Sequence, residues 1–317
     1  MGVFMGEKHS KNKKINPWIK GSLIVGSILI CILLIGAFTV YRTLGKMQQV
    51  SVDTSDLSIN YEEIQEFENH EEIINIALFG IDSEDGVAGR SDAIMVATID
   101  PIHNKLKLTS IMRDSYVNIP DRGMDKINHA YAFGGPQLAI KTINENFGLD
   151  ITDYMSVNFT SLPIIIDILG GVEINITEEE VPHIPGVNSA GTYTLTGDQA
   201  LSYSRIRYAS GGDYVRTERQ RTVLNALFNK ASTLSVTSLP GLLNEVLPHV
   251  QTSMSTSDIL ALGTKALGAI SNGLAQDRFP RDGYCEGTMI DGIYYLAFDQ
   301  ATAKEQMMNY IFEDKSE

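Results

Sequence analysis

Gly21 to Val40, GSLIVGSILICILLIGAFTV, is a run of 20 residues without a charge. A helix of about 20 apolar residues spans the roughly 30 Å hydrocarbon core of a bilayer. The run is longer than a usual signal-peptide apolar region and lacks a clean small-x-small cleavage site before Tyr41, so it reads as a retained anchor. Lys8, Lys11, Lys13, Lys14 and Lys20 precede it, against Arg42 and Lys46 just after it. The positive-inside rule then keeps the N-terminus in the cytoplasm and sends the rest outside. The expected order is a cytoplasmic tail 1–20, a transmembrane helix 21–40, an extracellular linker 41–72 and an extracellular domain 73–317. The protein would be single-pass in the cell membrane.

The formal charge is −14, and its distribution is uneven. Residues 1–20 carry five lysines and one glutamate, whereas 41–72 carry two basic and eight acidic residues. The domain beyond is acidic, which argues against nucleic-acid binding through a broad basic face. Cys31 lies in the apolar run and Cys285 is the other cysteine. The domain therefore has no internal disulfide and no cysteine-based zinc site.

Ile74 to Asp82 is a near-continuous apolar run and reads as a buried central strand. Asp92 to Ile99 is a second strand and Lys105 to Met112 a third, with a turn at Asp100–Asn104. Asp82, Asp92 and Arg113 thus fall at strand ends, where open α/β sheets bind ligands. Lys126 to Phe133 reads as a short helix stopped by Gly134-Gly135, and Pro136 to Phe147 as a second helix. Ile151 to Phe159 and Val172 to Ile176 read as strands, flanking an apolar helix from Ser161 to Leu169 capped by Thr160. A capped helix begins at Thr196, and another runs from about Asp213 to near Leu234. Helices at 238–247, 257–271 and 299–312 and strands near 284–290 and 293–297 complete the chain. The pattern predicts a three-layer α/β/α domain around a mixed central sheet.

Against this acidic background, Arg205, Arg207, Arg216, Arg219 and Arg221 crowd into 17 residues. Arg205 and Arg207 share a face if their segment is extended. Arg216, Arg219 and Gln220 sit at i, i+3 and i+4 of a helix, which is one face. Gly211-Gly212 would turn the two groups toward one place. Converging guanidinium groups call for an anion, and their planar fork suits phosphate oxygens. The plainer reading is a solvated helix face with Glu218 as partner.

Asp82 and Asp92 favour a hard, oxygen-loving cation such as magnesium. Alone, an aspartate at a strand end is more often a cap or turn residue. Beside Arg90, Arg113 and the arginine cluster, the pair supplies the parts for phosphoryl transfer, where positioning and charge neutralisation do most of the catalysis. Lys126, Asn128 and His129 form a further polar group near Tyr131. No P-loop, G-x-S-x-G elbow or H-E-x-x-H motif is present. The helix 162–169 is apolar nearly all round, so it is buried or lines an apolar slot.

Six stretches in order carry a resemblance: Ile76-Ala-Leu-Phe-Gly-Ile-Asp82, Arg90-Ser-Asp92, Ser110-Ile-Met-Arg-Asp114, Lys126-Ile-Asn-His-Ala-Tyr131, Tyr203-Ser-Arg-Ile-Arg207 and Asp213-Tyr-Val-Arg-Thr-Glu-Arg-Gln220. Together, behind one N-terminal anchor, they resemble the LytR-CpsA-Psr family of Gram-positive cell-envelope proteins. The resemblance implies a magnesium-dependent phosphotransferase. It would move a glycopolymer, such as wall teichoic acid, from an undecaprenyl-pyrophosphate carrier to peptidoglycan, forming a phosphodiester. It implies magnesium on Asp82 and Asp92, and pyrophosphate on Arg90, Arg113, Arg205, Arg207, Arg216 and Gln220. It also implies catalytic roles for Asp82, Asp92, Arg113 and Arg216, support from Asp213 and Arg219, and a hydrophobic tunnel for the lipid. Met112 and Val215 depart from residues frequent in the family and remove no charged group.

Two other readings share these residues. A pyrophosphatase would use water as nucleophile at the same site, and a polyprenyl-phosphate binding protein or envelope sensor would bind without turnover. The general base is open among Asp82, Asp92 and Asp114. The topology has its own test: a C-terminal reporter active only outside the cytoplasm is expected to be active. Activity of a cytoplasm-restricted reporter instead would overturn the topology and reopen a role in transcription.

Overall fold

The computed structural model describes residues 41–83, 89–158, 160–206, 219–220, 222–223, 225–227, 229–230, 239–269 and 274–316. The apolar run 21–40 lies outside them. Among the described residues no helix is long and apolar enough to cross a membrane. The chain divides after Arg42, and the elements below belong to the unit Thr43–Glu317.

Thirteen strands occur among the described residues: β1 (Gln48–Gln49), β2 (Ile74–Asp82), β3 (Arg90–Asp100), β4 (Lys105–Ile111), β5 (Tyr116–Ile119), β6 (Gly123–Lys126), β7 (Asp153–Asn158), β8 (Val172–Ile176), β9 (Gly191–Leu195), β10 (Gln251–Thr252), β11 (Leu274–Phe279), β12 (Cys285–Ile290) and β13 (Ile293–Phe298). Seven form one mixed sheet, in the order β1-β10-β7-β2-β3-β4-β11. β2 runs antiparallel to β3 and parallel to β7, and β3 runs antiparallel to β4. The other six form the hairpins β5-β6, β8-β9 and β12-β13.

The apolar run of β2 is explained by cover on both faces. Ala77, Phe79 and Ile81 join a core with Ile140, Ile143 and Phe147 of the helix His129–Phe147 and Met307 and Ile311 of the helix Gln300–Glu313. Side chains alternate along a strand, so Leu78 and Gly80 face the opposite side, toward Leu162 and Ile165 of the helix Ser161–Ile168. The Phe79 ring meets Tyr131 edge-on at 5.2 Å, and such pairs add about 0.5–1.5 kcal/mol beyond their burial. A separate core, with Ile166, Val172, Ile174, Leu195 and Tyr203, holds the β8-β9 hairpin to its neighbouring helices.

The mixed sheet with helices on both faces is as expected, and several local features differ. The stretch 41–72 is built into the domain rather than free. β1 pairs with β10, and Leu57 and Ile64 are core residues. Leu57 and Ile64, with Val52, Ile59 and Phe67 packed against the same core, are scattered among polar and acidic residues and give no clear periodic signal. The helix expected from Lys126 starts at His129, because Gly123–Lys126 is the second strand of the β5-β6 hairpin. It breaks at Gly134-Gly135, as expected, where Gly135 has φ 62° and ψ −156°, a region essentially reserved for glycine. Thr160 makes no capping bond; Asn158 Oδ1 instead accepts from the Ser161 amide at 2.7 Å. β11, with its polar sequence LAQDRF, was not anticipated and extends the sheet beside β4.

Lys107 of β4 is wholly buried. Its Nζ reaches Asp100 Oδ2 at 2.8 Å, Asp314 Oδ1 at 3.3 Å and the carbonyls of Tyr310 and Ile311 at 2.9 and 3.0 Å. Those carbonyls lie near the C-terminus of a helix, where the dipole favours a cation. Burial works to raise the pKa of the Asp314 carboxyl, but bonds and charges from Lys105 and Lys107 outweigh it and hold it below the ordinary value. A depressed carboxyl stabilises the fold above its unfolded pKa of about 3.9, and that contribution is lost as pH falls through the folded value. Asp314→Asn is therefore expected to unfold at lower denaturant than the wild type near neutral pH, with the gap closing below about pH 4. Unfolding midpoints measured across that range check it, and a gap independent of pH would contradict it.

Candidate functional site: a charged cavity beside an apolar one

β2 and β4 end, and β3 begins, at one edge of the sheet, so Asp82, Arg90 and Arg113 meet there. Asp82 pairs with Arg90 across the β2-β3 ladder. One step inward the register slips: Gly80 faces Ala93 but Ile81 faces Ser91, so Asp92 is the extra residue of a β-bulge. Bulges re-aim side chains and are frequent beside functional sites. Here Asp92 is only 7% exposed yet held by polar partners. Its Oδ2 accepts from Arg113 Nη1 at 2.9 Å and its Oδ1 from Asn128 Nδ2 at 3.2 Å. Its backbone carbonyl accepts from Gln220 Nε2 at 3.4 Å.

Arg113 Nε also lies 3.3 Å from Asp114 Oδ2, and Lys126 Nζ donates to Asp114 Oδ1 at 2.6 Å. Asp82, Arg90, Asp92, Arg113, Asp114, Lys126 and Asn128 line a polar cavity of about 270 Å³. Arg205 stands nearby, half-exposed, with Nη2 3.6 Å from Asp82 Oδ1. It is the C-cap of the helix Gly197–Ser204, not part of an extended segment. Carboxylates thus hold each of the cations Arg113 and Lys126 in place. Fixed donors of this kind cost no reorganisation when an anionic group arrives.

The donor chemistry fits magnesium. Asn128 Oδ1 is buried without a hydrogen-bond partner in the wall of this cavity. Three carboxylates and three cations line it, so an incoming polyanion brings excess negative charge that a divalent cation would offset. Among the described residues no three His, Cys, Asp or Glu side chains form a metal cage. Magnesium rarely uses one; it takes one or two carboxylates plus substrate phosphates and water.

A second cavity, of about 280 Å³, lies between the sheet and the helices on this face. Leu78, Gly80, Ala93 and Met95 form its floor, Leu162 and Ile165 one wall, and Val223 and Leu227 another. Gly80 and Ala93 pack closely in that floor: a Cβ on Gly80 would come within 2.9 Å of the Ala93 Cβ. Gln220 lines this cavity and also bonds the Asp92 carbonyl of the charged one. The two spaces therefore share a wall.

Of the residues expected at the site, Asp82, Arg90, Asp92 and Arg113 line the charged cavity, while Arg205 and Gln220 border it. Arg207, Asp213 and Arg216 lie outside the described residues. Arg219 is not brought to the cavity. It is buried, with Nε 2.8 Å from Glu180 Oε1 and Nη1 3.4 Å from the Ile206 carbonyl. Glu180 went unnoticed because it lies 39 positions away in an acidic stretch. Lys126 and Asn128 were singled out only as a polar group, and Asp114 only as a candidate base. The signal for Lys126 and Asn128 was their alternation about Ile127, which is buried.

An α/β domain thus sets fixed cations at the sheet edge beside an apolar chamber, an arrangement suited to an amphiphilic phosphate. The LytR_cpsA_psr family model matches residues 37–311, and the chain belongs to that family. It is 36% identical to the polyisoprenyl-teichoic acid–peptidoglycan teichoic acid transferase TagU of Oceanobacillus iheyensis, over 93% of each chain. Among solved structures it is similar to TagT bound to LI-WTA, with TM-score 0.67, 26% identity, and 84% of this chain and 100% of that one covered. It is also similar to YwtF (TagT) with bound octaprenyl pyrophosphate lipid, with TM-score 0.63, 26% identity, and 83% and 99% coverage.

The place of Arg219 generates a prediction. Removing one partner of a buried ion pair costs about 3–5 kcal/mol, whereas replacing both by apolar residues is often neutral. Arg219→Ala is expected to lose that much unfolding free energy, and Arg219→Met with Glu180→Leu to recover most of it. Equilibrium denaturation checks this; a fully stable Arg219→Ala that lost lipid binding would return Arg219 to the site.

Proposed function

We propose that this protein transfers a glycopolymer from an undecaprenyl-pyrophosphate carrier to peptidoglycan, with formation of a phosphodiester. The observation that carries the reading is the shared wall at Asp92 and Gln220, which sets a charged cavity beside an apolar one, as a lipid-linked phosphate would require. The names of the relatives support the same substrate class. In this reading the run 21–40 anchors the chain and holds the domain outside the membrane, beside its lipid-linked donor.

Arg90, Arg113, Lys126 and Arg205 would bind the pyrophosphate oxygens, joined by Arg207 and Arg216 of the same arginine stretch. Asp82 and Asp92 would hold magnesium, which supplies charge neutralisation on those oxygens. Asp92 and Asp114 also orient the cations, Asp92 through Arg113 and Asp114 through Lys126. The acceptor hydroxyl forms a bond to the phosphorus that bears the sugar. The bond from that phosphorus to the bridging oxygen breaks, and polyprenyl phosphate leaves. The hydroxyl proton passes to a carboxylate at the cavity. Asp82 is exposed, and its 3.6 Å contact to Arg205 is longer than the contacts Arg113 and Lys126 make to Asp92 and Asp114. Of the three it is the least tightly held by protein cations.

Full-length protein in detergent would be given a polyprenyl-pyrophosphate-linked saccharide, peptidoglycan and magnesium. Saccharide linked covalently to the wall material is expected, and chelator should abolish it. Arg90→Ala, at an exposed position, is expected to keep the fold and lower kcat/KM by roughly 10²–10³. Free saccharide phosphate as the product would instead establish the pyrophosphatase. Tight lipid binding without any product would favour a carrier or sensor.

A further inference from the structure

The charged cavity has a second neighbour, on the side of the β5-β6 hairpin. Lys126 lines the cavity and also lies over two rings of β13, 6.0 Å from the Tyr294 centroid and 5.7 Å from that of Tyr295. The Tyr295 hydroxyl reaches Asp125 Oδ1 at 3.5 Å. The other oxygen of Asp125 meets His129 Nδ1 at 2.8 Å. The His129 ring in turn lies 5.8 Å from that of Phe133. Phe133 is 44% exposed and Tyr294 40% exposed. Exposed Tyr294 thus flanks the phosphate cavity at Lys126, and buried Tyr295 ties that edge, through Asp125 and His129, to exposed Phe133, so that Tyr294, His129 and Phe133 form a ledge beside the cavity.

We propose that this ledge is the subsite for the acceptor saccharide, resting on the transferase reading above. A pyranose ring offers an apolar C–H face to an aromatic ring and hydroxyls at its edge. The ledge has the matching parts: two exposed aromatic rings, Tyr294 and Phe133, the latter with the Arg122 guanidinium 5.2 Å from its centroid, and the Asp125–His129 pair between them. Asp125 on Nδ1 fixes the imidazole orientation and leaves Nε2 to address a sugar hydroxyl. The position follows from the reaction. The apolar cavity behind Asp92 and Gln220 takes the lipid of the donor, so the attacking hydroxyl must arrive from another side. The ledge meets the cavity at Lys126, which would touch the donor phosphates. Continuity with the phosphate cavity is the argument for a saccharide here rather than a second protein.

Steady-state transfer by the full-length protein tests this, with a soluble disaccharide-peptide fragment of peptidoglycan as acceptor and a lipid-linked saccharide as donor. Phe133→Ala and Tyr294→Ala change exposed side chains, and thermal unfolding verifies that each variant is folded. Each is expected to raise the KM for the acceptor by about tenfold, the effect of truncating an aromatic anchor. The KM for the donor and the affinity for octaprenyl pyrophosphate should not move. Leu260→Ala, an exposed apolar position elsewhere, should change neither. Wild-type transfer with acceptor KM values within twofold in both aromatic variants would sink the ledge and leave the transferase reading intact. Donor hydrolysis that ignores the acceptor, or donor binding with no product, would overturn both.

Discussion

The extra residue in β3 is the constraint on which the site depends. A regular ladder would continue from Gly80–Ala93 to Ile81–Asp92 and spend Asp92 on strand pairing. The slip to Ile81–Ser91 leaves Asp92 out of register at the sheet edge. Three elements then converge on that one residue: Arg113 beyond β4, Asn128 before a helix and Gln220 on a helix of the other layer. A buried carboxylate is costly unless it is paired and hydrogen-bonded. Burial of Asp92 therefore requires these partners, and one of them, Arg113, is a cation of the charged cavity.

The two faces of β2 do different work for the same reason of alternation. Ala77, Phe79 and Ile81 close one face with a dense core. Leu78 and Gly80 leave the other face open to a chamber. Large side chains at Gly80 and Ala93 would fill that floor. Small residues beside a charged edge keep an apolar space open next to fixed cations, and a lipid-linked pyrophosphate needs both.

Much of this was legible in the chain. Continuous apolar runs marked β2 and β3 as covered strands, glycine pairs marked helix breaks, and strand ends placed Asp82, Asp92 and Arg113 together. The arginine stretch was legible as a concentration but not as a geometry. Helical spacing put Arg219 and Gln220 on one face, yet one packs into a buried pair with Glu180 and the other reaches the site. A helix face is a wide arc, and distant residues decide what each part of it meets. The segment 41–72 misled in the opposite sense, since its polar composition hid the core residues Leu57 and Ile64.

Local chemistry along the chain determined the central strands β2 to β4, the helix breaks, the acidic domain with its arginine cluster and the family to which the protein belongs. These depend on periodicity, composition and short motifs, which neighbouring residues carry by themselves. Only the tertiary structure decided that Asp92 is bulged, that Arg219 is buried, that Lys126 and Asp114 join the cavity and that an apolar chamber shares its wall. Those outcomes depend on strand register and on contacts between residues far apart in the chain, and a linear pattern does not specify which partner a charged side chain finds.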